Sequence, residues 1–137
     1  MRNAMSDIDE ILDQSRTIAI VGLSPRADRP SYEVARYLKE QGYRIIPVNP
    51  SAQEILGERC YPDLASIPEP VDTVDIFRRA EDVPPIVEAA IKKGVKAVWM
   101  QEGIVHEGAA RQAMEAGLKV VMDRCMYREH RKRRAGS

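Results

Sequence analysis

Short apolar runs alternate along the chain with longer stretches of helical spacing. Runs of four or five apolar residues are typical of buried strands, and apolar positions three or four apart indicate one face of a helix. The predicted strands are 18–21, 44–48, 73–77, 97–100 and 119–122. The predicted helices are 6–15, 31–41, 83–93 and 107–116, with a last helix starting near residue 123. This alternation predicts a three-layer α/β/α fold around a mainly parallel sheet of about five strands.

The segment 51–71 interrupts the alternation. It contains Gly57 and prolines at 62, 68 and 70, so it is predicted to be irregular, with one helical turn at 64–67. No linker or repeat divides the rest, and 137 residues suffice for one core. We therefore expect residues 1–137 to form a single domain, with a leading helix in 1–16 and a basic tail in 128–137.

The balance of charged residues disfavours some classes of binding partner. Lys plus Arg and Asp plus Glu both number 21, so no overall field favours nucleic acid or an acidic membrane. The basic tail has only Tyr127 beside it for stacking on bases, which favours a solvated helix end or a frayed tail. No apolar run approaches the roughly 20 residues of a membrane helix. We expect a cytoplasmic protein that binds neither nucleic acid nor membrane, as a monomer or a homodimer.

The first strand and the turn after it carry the strongest chemical signal. The strand stops at Gly22, and a loop with Ser24, Arg29 and Ser31 opens a helix, an arrangement that cradles phosphate. Ser31 is placed either to cap this helix or to donate to a phosphate. The dinucleotide fingerprint G-x-G-x-x-G is absent, because Ser24 and Ala27 occupy its other glycine positions. The loop predicts a phosphorylated nucleotide other than NAD.

Polar residues follow the other predicted strands. In a parallel sheet, ligands bind beyond the carboxyl ends of the strands. The second strand ends in Asn49-Pro50, where an NAD-binding fold places an acid for the ribose hydroxyls. The third strand ends at Phe77 and is followed by Arg78-Arg79, and the fourth is followed by Gln101-Glu102-Gly103. Guanidinium groups pair with phosphate oxygens, which predicts one composite site, although simple turns and solvated arginines remain the alternative.

Catalytic and metal-binding signals are weak. A nucleophile elbow, a P-loop lysine and an H-E-x-x-H motif are all absent. His106 near a helix start and Cys125 beside Arg124 are the two reactive candidates, but a surface histidine and an inert cysteine are favoured. Cys60 and Cys125 lack the spacing of a zinc site. We predict neither a catalytic constellation nor a metal centre.

Four stretches together resemble a known family. VGLSPRADRPSYEVARYLKEQGYRIIPVNP, LGERCYPDLASIPEPVDTVDIFRR, VWMQEGI and VVMDRCMYREH are similar to the small stand-alone CoA-binding proteins. Those are single Rossmann-like domains similar to the N-terminal CoA-binding domain of the succinyl-CoA synthetase α subunit. The resemblance spans about 18–130. It implies non-catalytic binding of coenzyme A or an acyl-CoA across the strand ends.

The resemblance also implies roles for individual residues. Those implied to contact phosphate are Gly22, Ser24, Arg29 and Ser31. Those implied to border adenosine are Val48, Asn49 and Pro50, and those implied to line the next stretch are Phe77, Arg78 and Arg79. Those matching the I-T-E-G stretch of the synthetase, which contacts the ligand, are Met100, Gln101, Glu102 and Gly103. Relatives often have a lysine where this chain has Ser51, which puts recognition of the 3′-phosphate in doubt unless Arg29 or Arg26 substitutes.

Two rival functions stay open on the sequence. One is an NAD(H)-sensing or partner-docking module with the same fold, which the missing glycines and acid disfavour. The other is an enzyme that processes an acyl-CoA through His106 or Cys125.

Overall fold

The computed structural model describes residues 5–136, and the side chains of 7–135. Within this range there are five α-helices and seven strands, and a short 3-10 turn, Ala80–Asp82, precedes the third helix. The helices are α1 Met5–Gln14, α2 Pro30–Glu40, α3 Val83–Lys93, α4 Glu107–Glu115 and α5 Met126–Gly136. The strands are β1 Thr17–Val21, β2 Arg44–Val48, β3 Glu54–Ile55, β4 Glu58–Arg59, β5 Thr73–Ile76, β6 Ala97–Met100 and β7 Lys119–Val121.

The main sheet has the order β2-β1-β5-β6-β7, and all four neighbouring pairs are parallel. The predicted α/β fold with a five-stranded parallel sheet is thereby confirmed. From β1 the chain crosses to β2 on one side and then returns to β5 on the other. Val21, Val48 and Ile76 align in register, so three strands end side by side where the connections diverge. Such a divergence leaves a crevice at the carboxyl edge of the sheet.

Each face of the sheet packs against its own helices, which gives the three layers. Ile46, Val74 and Val98 point to one face and pack with buried residues of α3 and α4. Ile18 and Trp99 point to the other face, where α1, α2 and α5 cover them. Because successive side chains of a strand alternate between faces, apolar runs without polar interruption are what a sheet covered on both sides requires.

The segment predicted to be irregular contains a small hairpin. β3 and β4 pair antiparallel, and the turn between them places Leu56 at φ 56° and Gly57 at φ 75°. Two left-handed residues suit a two-residue hairpin turn, but leucine is rarely found there, so this turn has no recognisable hairpin motif. Lys39 Nζ donates a 2.6 Å hydrogen bond to the Leu56 carbonyl and holds the turn on α2. The predicted turn at 64–67 closes through a 3.2 Å bond from Ile67 N to Leu64 O.

The basic residues expected as a tail belong, up to residue 136, to α5. The Tyr37 hydroxyl lies 2.7 Å from His130 Nδ1, which fastens α5 to α2. Arg133 forms ion pairs with Asp9 at 2.9 Å and with Asp13 at 2.6 Å, which fasten it to α1. The positive charge is thus largely engaged within the domain, and α5 forms one wall of the carboxyl edge.

Candidate functional site

Three cavities open along the carboxyl edge of the sheet, and together we call them the strand-end groove. The loop cavity, about 400 Å³, lies between the β1–α2 loop and Phe77. The Pro50 cavity, about 330 Å³, lies between the ends of β1 and β2 and α3. The α5 cavity, about 980 Å³, lies between β6, α2 and α5. Gly22 lines the first two cavities, and Phe77 lines the first and third, so the three cavities adjoin one another.

Gly22 forms the floor where two cavities meet. Its φ is +88°, a conformation that favours glycine, and a Cβ atom there would lie 2.4 Å from the Phe77 carbonyl oxygen. Its own N–H donates to the Val48 carbonyl at 3.1 Å. Glycine is therefore required by both conformation and space. The structure places Gly22 where the sequence predicted it.

The β1–α2 loop is organised by two serines. The Ser24 N–H donates to Ser31 Oγ at 3.0 Å, and the Arg26 N–H donates to Ser24 Oγ at 3.1 Å. The helix begins at Pro30, one residue before Ser31, and no side chain caps it. Ser31 therefore does not cap α2 but ties the loop to the helix. The uncapped N-terminus of α2 leaves its first N–H groups and its partial positive charge beside the loop cavity.

The arginines of this loop differ in their surroundings. Arg26 lies 3.6 Å from Asp28, and both side chains are mostly exposed, so this ion pair contributes little. Arg29 lines the loop cavity and forms no ion pair with any residue that the structure describes. An exposed guanidinium without a carboxylate partner, next to a helix N-terminus, is a suitable group for an anion.

The two arginines after β5 lie in different places. Arg78 lines the Pro50 cavity, with Asp82 Oδ2 3.3 Å from its guanidinium. Arg79 is more exposed, interacts with Glu81 and Asp82 at 3.7 and 3.6 Å, and does not line any of the three cavities. The structure thus brings Arg78, but not Arg79, into the groove.

At the end of β2, some residues line the groove and one makes hydrogen bonds within the protein. Val48 and Pro50 line the Pro50 cavity. Asn49 is used internally, because its Nδ2 donates to the Leu23 carbonyl at 2.9 Å and its Oδ1 accepts from the Ser51 N–H at 2.7 Å. Asn49 therefore joins the two loops rather than lining the groove.

At the end of β6, Met100 departs from the expectation of ligand contact. Its side chain is completely buried among the residues facing α3 and α4, because strand alternation directs it into that core. The next residue, Gln101, does line the α5 cavity, with only 3% of its surface exposed. Of the I-T-E-G-like stretch, Gln101 and Glu102 thus line the groove.

The remaining residues of this stretch are held by partners. Glu102 lines the α5 cavity and forms an ion pair with Arg128 of α5 at 2.5 Å. The Gly103 N–H donates to Asp123 Oδ1 at 2.6 Å, at a backbone φ of +86°. The Gly103 amide is therefore occupied by the protein itself.

Sequence reasoning missed Asp75. This carboxyl group is completely buried in β5, and Gln101 Nε2 donates to its Oδ1 at 2.7 Å. Its Oδ2 has no hydrogen-bond partner among the described residues. Burial raises the pKa of Asp75 to about 7, and the hydrogen bond from Gln101 opposes that rise. An ionisable residue inside an apolar strand was the available signal.

The two reactive candidates, His106 and Cys125, have different surroundings. His106 is the N-cap of α4, where its Nδ1 accepts from the Ala109 N–H at 3.0 Å. Cys125 is half-buried, lines the α5 cavity and is a free thiol, as is the buried Cys60. Burial raises the pKa of the Cys60 thiol. No group of three or more His, Cys, Asp or Glu residues in 5–136 is arranged to hold a metal ion.

The sequence matches the model of the family described as CoA binding domain over residues 16–131. The chain belongs to this family. The resemblance to CoA-binding proteins is thereby confirmed. Among the structurally described helices of this CoA-binding domain, none has the length and apolarity to cross a membrane. The cytoplasmic location and the monomeric or homodimeric state stay predictions.

Small proteins match this CoA-binding domain over almost their full length. Protein YneT of Bacillus subtilis is 41% identical over 125 residues, which cover 91% of this chain and 93% of YneT. A hypothetical protein from Pyrococcus horikoshii is 44% identical with a TM-score of 0.91, covering 95% and 92% of the two chains. The redesigned protein Prb is 45% identical with a TM-score of 0.93, covering 99% and 95%.

Longer proteins match the CoA-binding domain over one part of their length. Acetate–CoA ligase (ADP-forming) II of Archaeoglobus fulgidus is 35% identical over 96 residues, 68% of this chain but 14% of the ligase. A dinucleotide-forming acetyl-coenzyme A synthetase from Ca. Korarchaeum cryptofilum is 27% identical with a TM-score of 0.73 over 81% of this chain and 26% of the synthetase. The chain thus corresponds to one domain of these larger proteins.

Proposed function

We propose that the protein binds coenzyme A or an acyl-CoA along the strand-end groove, without catalysing a reaction on it. The observation that carries this proposal is that three chemically different cavities adjoin one another at Gly22 and Phe77. Coenzyme A likewise has three chemically different parts, a 3′-phosphorylated adenosine, a pyrophosphate and a pantetheine arm. Membership of the CoA binding domain family supports the match.

The loop cavity suits the pyrophosphate. The uncapped N-terminus of α2, the Ser24 and Ser31 hydroxyls and the Arg29 guanidinium all border it. Backbone N–H groups at a helix N-terminus and a guanidinium without a carboxylate partner are the donors that phosphate oxygens require. The absence of a Cβ atom at Gly22 lets the ligand approach the backbone.

The Pro50 cavity suits the phosphorylated adenosine. Its apolar lining from Pro50, Leu64 and Ile86 can hold a purine ring, and Arg78 lies at the same cavity. Arg78 would bind the 3′-phosphate in the role of the lysine that relatives often carry at the position of Ser51. Arg26 and Arg29, which the sequence suggested as substitutes, border the loop cavity instead.

The α5 cavity suits the pantetheine arm and any acyl group. It is the largest of the three and is lined by Val34, Phe77, Ile104 and Tyr127 as well as by polar residues. An extended, mostly apolar arm can pack on these side chains without a charged partner. The volume of about 980 Å³ leaves space for an acyl group on the sulfur of the pantetheine arm.

A binding role without chemistry fits the reactive residues. His106 is engaged as the cap of α4, and no hydrogen bond links it to Cys125. The ligases that the chain resembles are several times longer, which suits a domain that binds the cofactor while other segments react. The rival NAD(H) function has less support, because the end of β2 carries Asn49 instead of an acid and its amide is already bonded.

Calorimetry with three ligands tests the proposal. We expect CoA to bind about tenfold more tightly than dephospho-CoA, the value of one charge-assisted contact, and NAD⁺ to bind most weakly. Equal affinity for all three ligands would contradict a preference for CoA. Incubation with acetyl-CoA should release no free thiol above the uncatalysed rate, and rapid release would contradict the non-catalytic role.

A further inference from the structure

One buried group is not used by the pyrophosphate and adenosine cavities. Asp75 occupies the middle of β5, in register with Ile20 of β1 and Trp99 of β6, and no part of it is exposed. A carboxyl group in such a place carries a desolvation cost, so its retention calls for a reason. The only hydrogen bond to its side chain from a described residue comes from Gln101.

Gln101 connects this buried group to the groove. It follows β6 directly, lines the α5 cavity and keeps 3% of its surface exposed. Its Nε2 is directed inward by the 2.7 Å hydrogen bond to Asp75 Oδ1. Its Oε1 accepts no hydrogen bond from any described residue, so this oxygen is the polar atom that Gln101 can offer to a ligand.

The chemistry of the pair fixes which end of the amide faces inward. In its ionised form, reached as the pH rises past its pKa of about 7, Asp75 accepts hydrogen bonds and donates none, so it attracts the NH₂ group of Gln101 and repels the carbonyl oxygen. A glutamine without this partner could present either end to the cavity. With it, the cavity wall presents an acceptor in the same lining as the apolar side chains of Phe77 and Ile104.

We propose that Asp75 is a positioning residue that holds the Gln101 amide so that its Oε1 accepts a hydrogen bond from an amide N–H of the pantetheine arm. This inference rests on the proposed function, because it assumes that the arm lies in the α5 cavity. It makes the α5 cavity selective for ligands that place a hydrogen-bond donor opposite Gln101. The buried carboxyl group acts through Gln101 and does not touch the ligand.

The test compares two ligands on the full-length protein. One is CoA, and the other is 3′-phosphoadenosine 5′-diphosphate, which keeps the phosphates and adenosine but lacks the pantetheine arm. Asp75→Leu and Gln101→Leu should each lower CoA affinity about tenfold, while affinity for the shorter ligand stays within about twofold. The double variant should lose no more than either single variant, since both remove the same contact.

Two further variants separate positioning from a structural role. Asp75→Asn retains an acceptor oxygen and should keep CoA affinity within about threefold of the unaltered protein. Thr73→Val is the matched control, because Thr73 lies on the same strand and face, is 1% exposed and shares a 2.8 Å hydrogen bond with Ser15 at the opposite edge. This control should alter stability alone and leave both affinities unchanged.

The outcomes are distinguishable. If Gln101→Leu leaves the ratio of CoA affinity to short-ligand affinity unchanged, the inference is overturned. The proposed function would still stand in that case. Additive losses in the double variant would also overturn it. If the unaltered protein bound neither ligand, the proposed function itself would fail, and the inference with it.

Discussion

Two parts of the strand-end groove, which we call the loop half and the β6 half, differ in whether their polar groups already have partners within the protein. In the loop half, residues 22–31, the Arg29 guanidinium has no ion pair with a described residue and the N-terminus of α2 has no capping side chain. In the β6 half, residues 101–103, each residue already has a polar partner within the protein. Those partners are Asp75 for Gln101, Arg128 for Glu102 and Asp123 for Gly103.

The difference indicates a division of labour. Donors without internal partners can bind an anion without first breaking a bond, so the loop half is suited to supplying affinity for phosphate. Polar groups that are already paired fix the shape and the acceptor pattern of a wall, so the β6 half is suited to selecting the uncharged arm. Three predictions test this division and one tests the adjoining Pro50 cavity, and they are given from the largest expected effect to the smallest.

The largest effect concerns the free energy of unfolding, which the buried Asp75 beside Gln101 lowers when it ionises. The pKa of Asp75 is about 7 in the folded protein against an ordinary value of 3.8, so the folded state holds the proton more tightly. Stability contributed by this group is therefore present below pH 3.8 and is lost as the pH rises from 3.8 through 7. Asp75→Asn should be more stable than the unaltered protein at pH 8, by up to about 4 kcal/mol, and this gain should vanish near pH 3.5.

Urea unfolding at pH 3.5, 6 and 8 measures this stability difference. Thr73→Val, which removes a buried polar group that does not ionise in this range, should show a difference from the unaltered protein that does not change with pH. A stability difference for Asp75→Asn that is equal at all three pH values would contradict the buried, proton-binding state of Asp75.

The second effect concerns the floor of the loop half. Gly22→Ala should destabilise the fold by about 2–3 kcal/mol and reduce CoA affinity by more than about thirtyfold, because its Cβ meets the Phe77 carbonyl. Gly117→Ala is the control: its φ is +91°, but no atom lies within 4 Å of the added Cβ. The control should cost about 1 kcal/mol and leave CoA affinity unchanged. Equal loss of CoA affinity in both variants would indicate a general effect of backbone strain.

The third effect concerns a single guanidinium. Arg78→Ala should lower CoA affinity about tenfold and abolish the preference for CoA over dephospho-CoA. Arg36→Ala removes a comparable pair, since Arg36–Glu40 and Arg78–Asp82 are both i,i+4 ion pairs with arginine side chains 51% and 46% exposed. Calorimetry of both variants with both ligands measures whether the preference for CoA is lost in Arg78→Ala and kept in Arg36→Ala. A preference that survives in Arg78→Ala would place the 3′-phosphate elsewhere.

The smallest effect is expected where the β6 half meets α5. Arg128→Ala breaks an ion pair with Glu102 in which the side chains are 66% and 57% exposed, so stability should change by less than about 1 kcal/mol. CoA affinity should change by less than about twofold, since this pair shapes the wall without binding phosphate. A tenfold loss of CoA affinity in calorimetry would show that this half also binds charge, and the division of labour would be wrong.

The sequence was most informative where local patterns dominate. Apolar runs and the glycines that end helices predicted all five strands of the parallel sheet, because a sheet covered on both faces needs uninterrupted apolar strands. Gly22 was also predictable, since a glycine directly after a strand and before a helix marks close backbone approach. The hairpin turn at Leu56 was not, because its conformation depends on contacts with α2 rather than on its own preference.

The candidate site was less predictable because partners distant in sequence determine it. Asn49 and Gly103 fit a contact role in the sequence, yet the structure occupies their polar groups with Leu23, Ser51 and Asp123. Met100 was assigned to the groove through its place in a motif, whereas strand alternation turns it into the core. Asp75 carried no motif, and its importance emerges only from its burial and its bond to Gln101.

The most direct measurement of the central claim is the position of bound CoA by NMR. Titration of the isotopically labelled protein should shift the backbone amides of residues that line the three cavities, namely 22, 24, 26, 29, 31, 77, 78, 101, 102 and 104. Amides at the opposite edge of the sheet, such as those of Ser15, Lys96 and Gly117, should not move. Shifts confined to that opposite edge, or no shifts at saturating CoA, would contradict the strand-end groove as the site of cofactor binding.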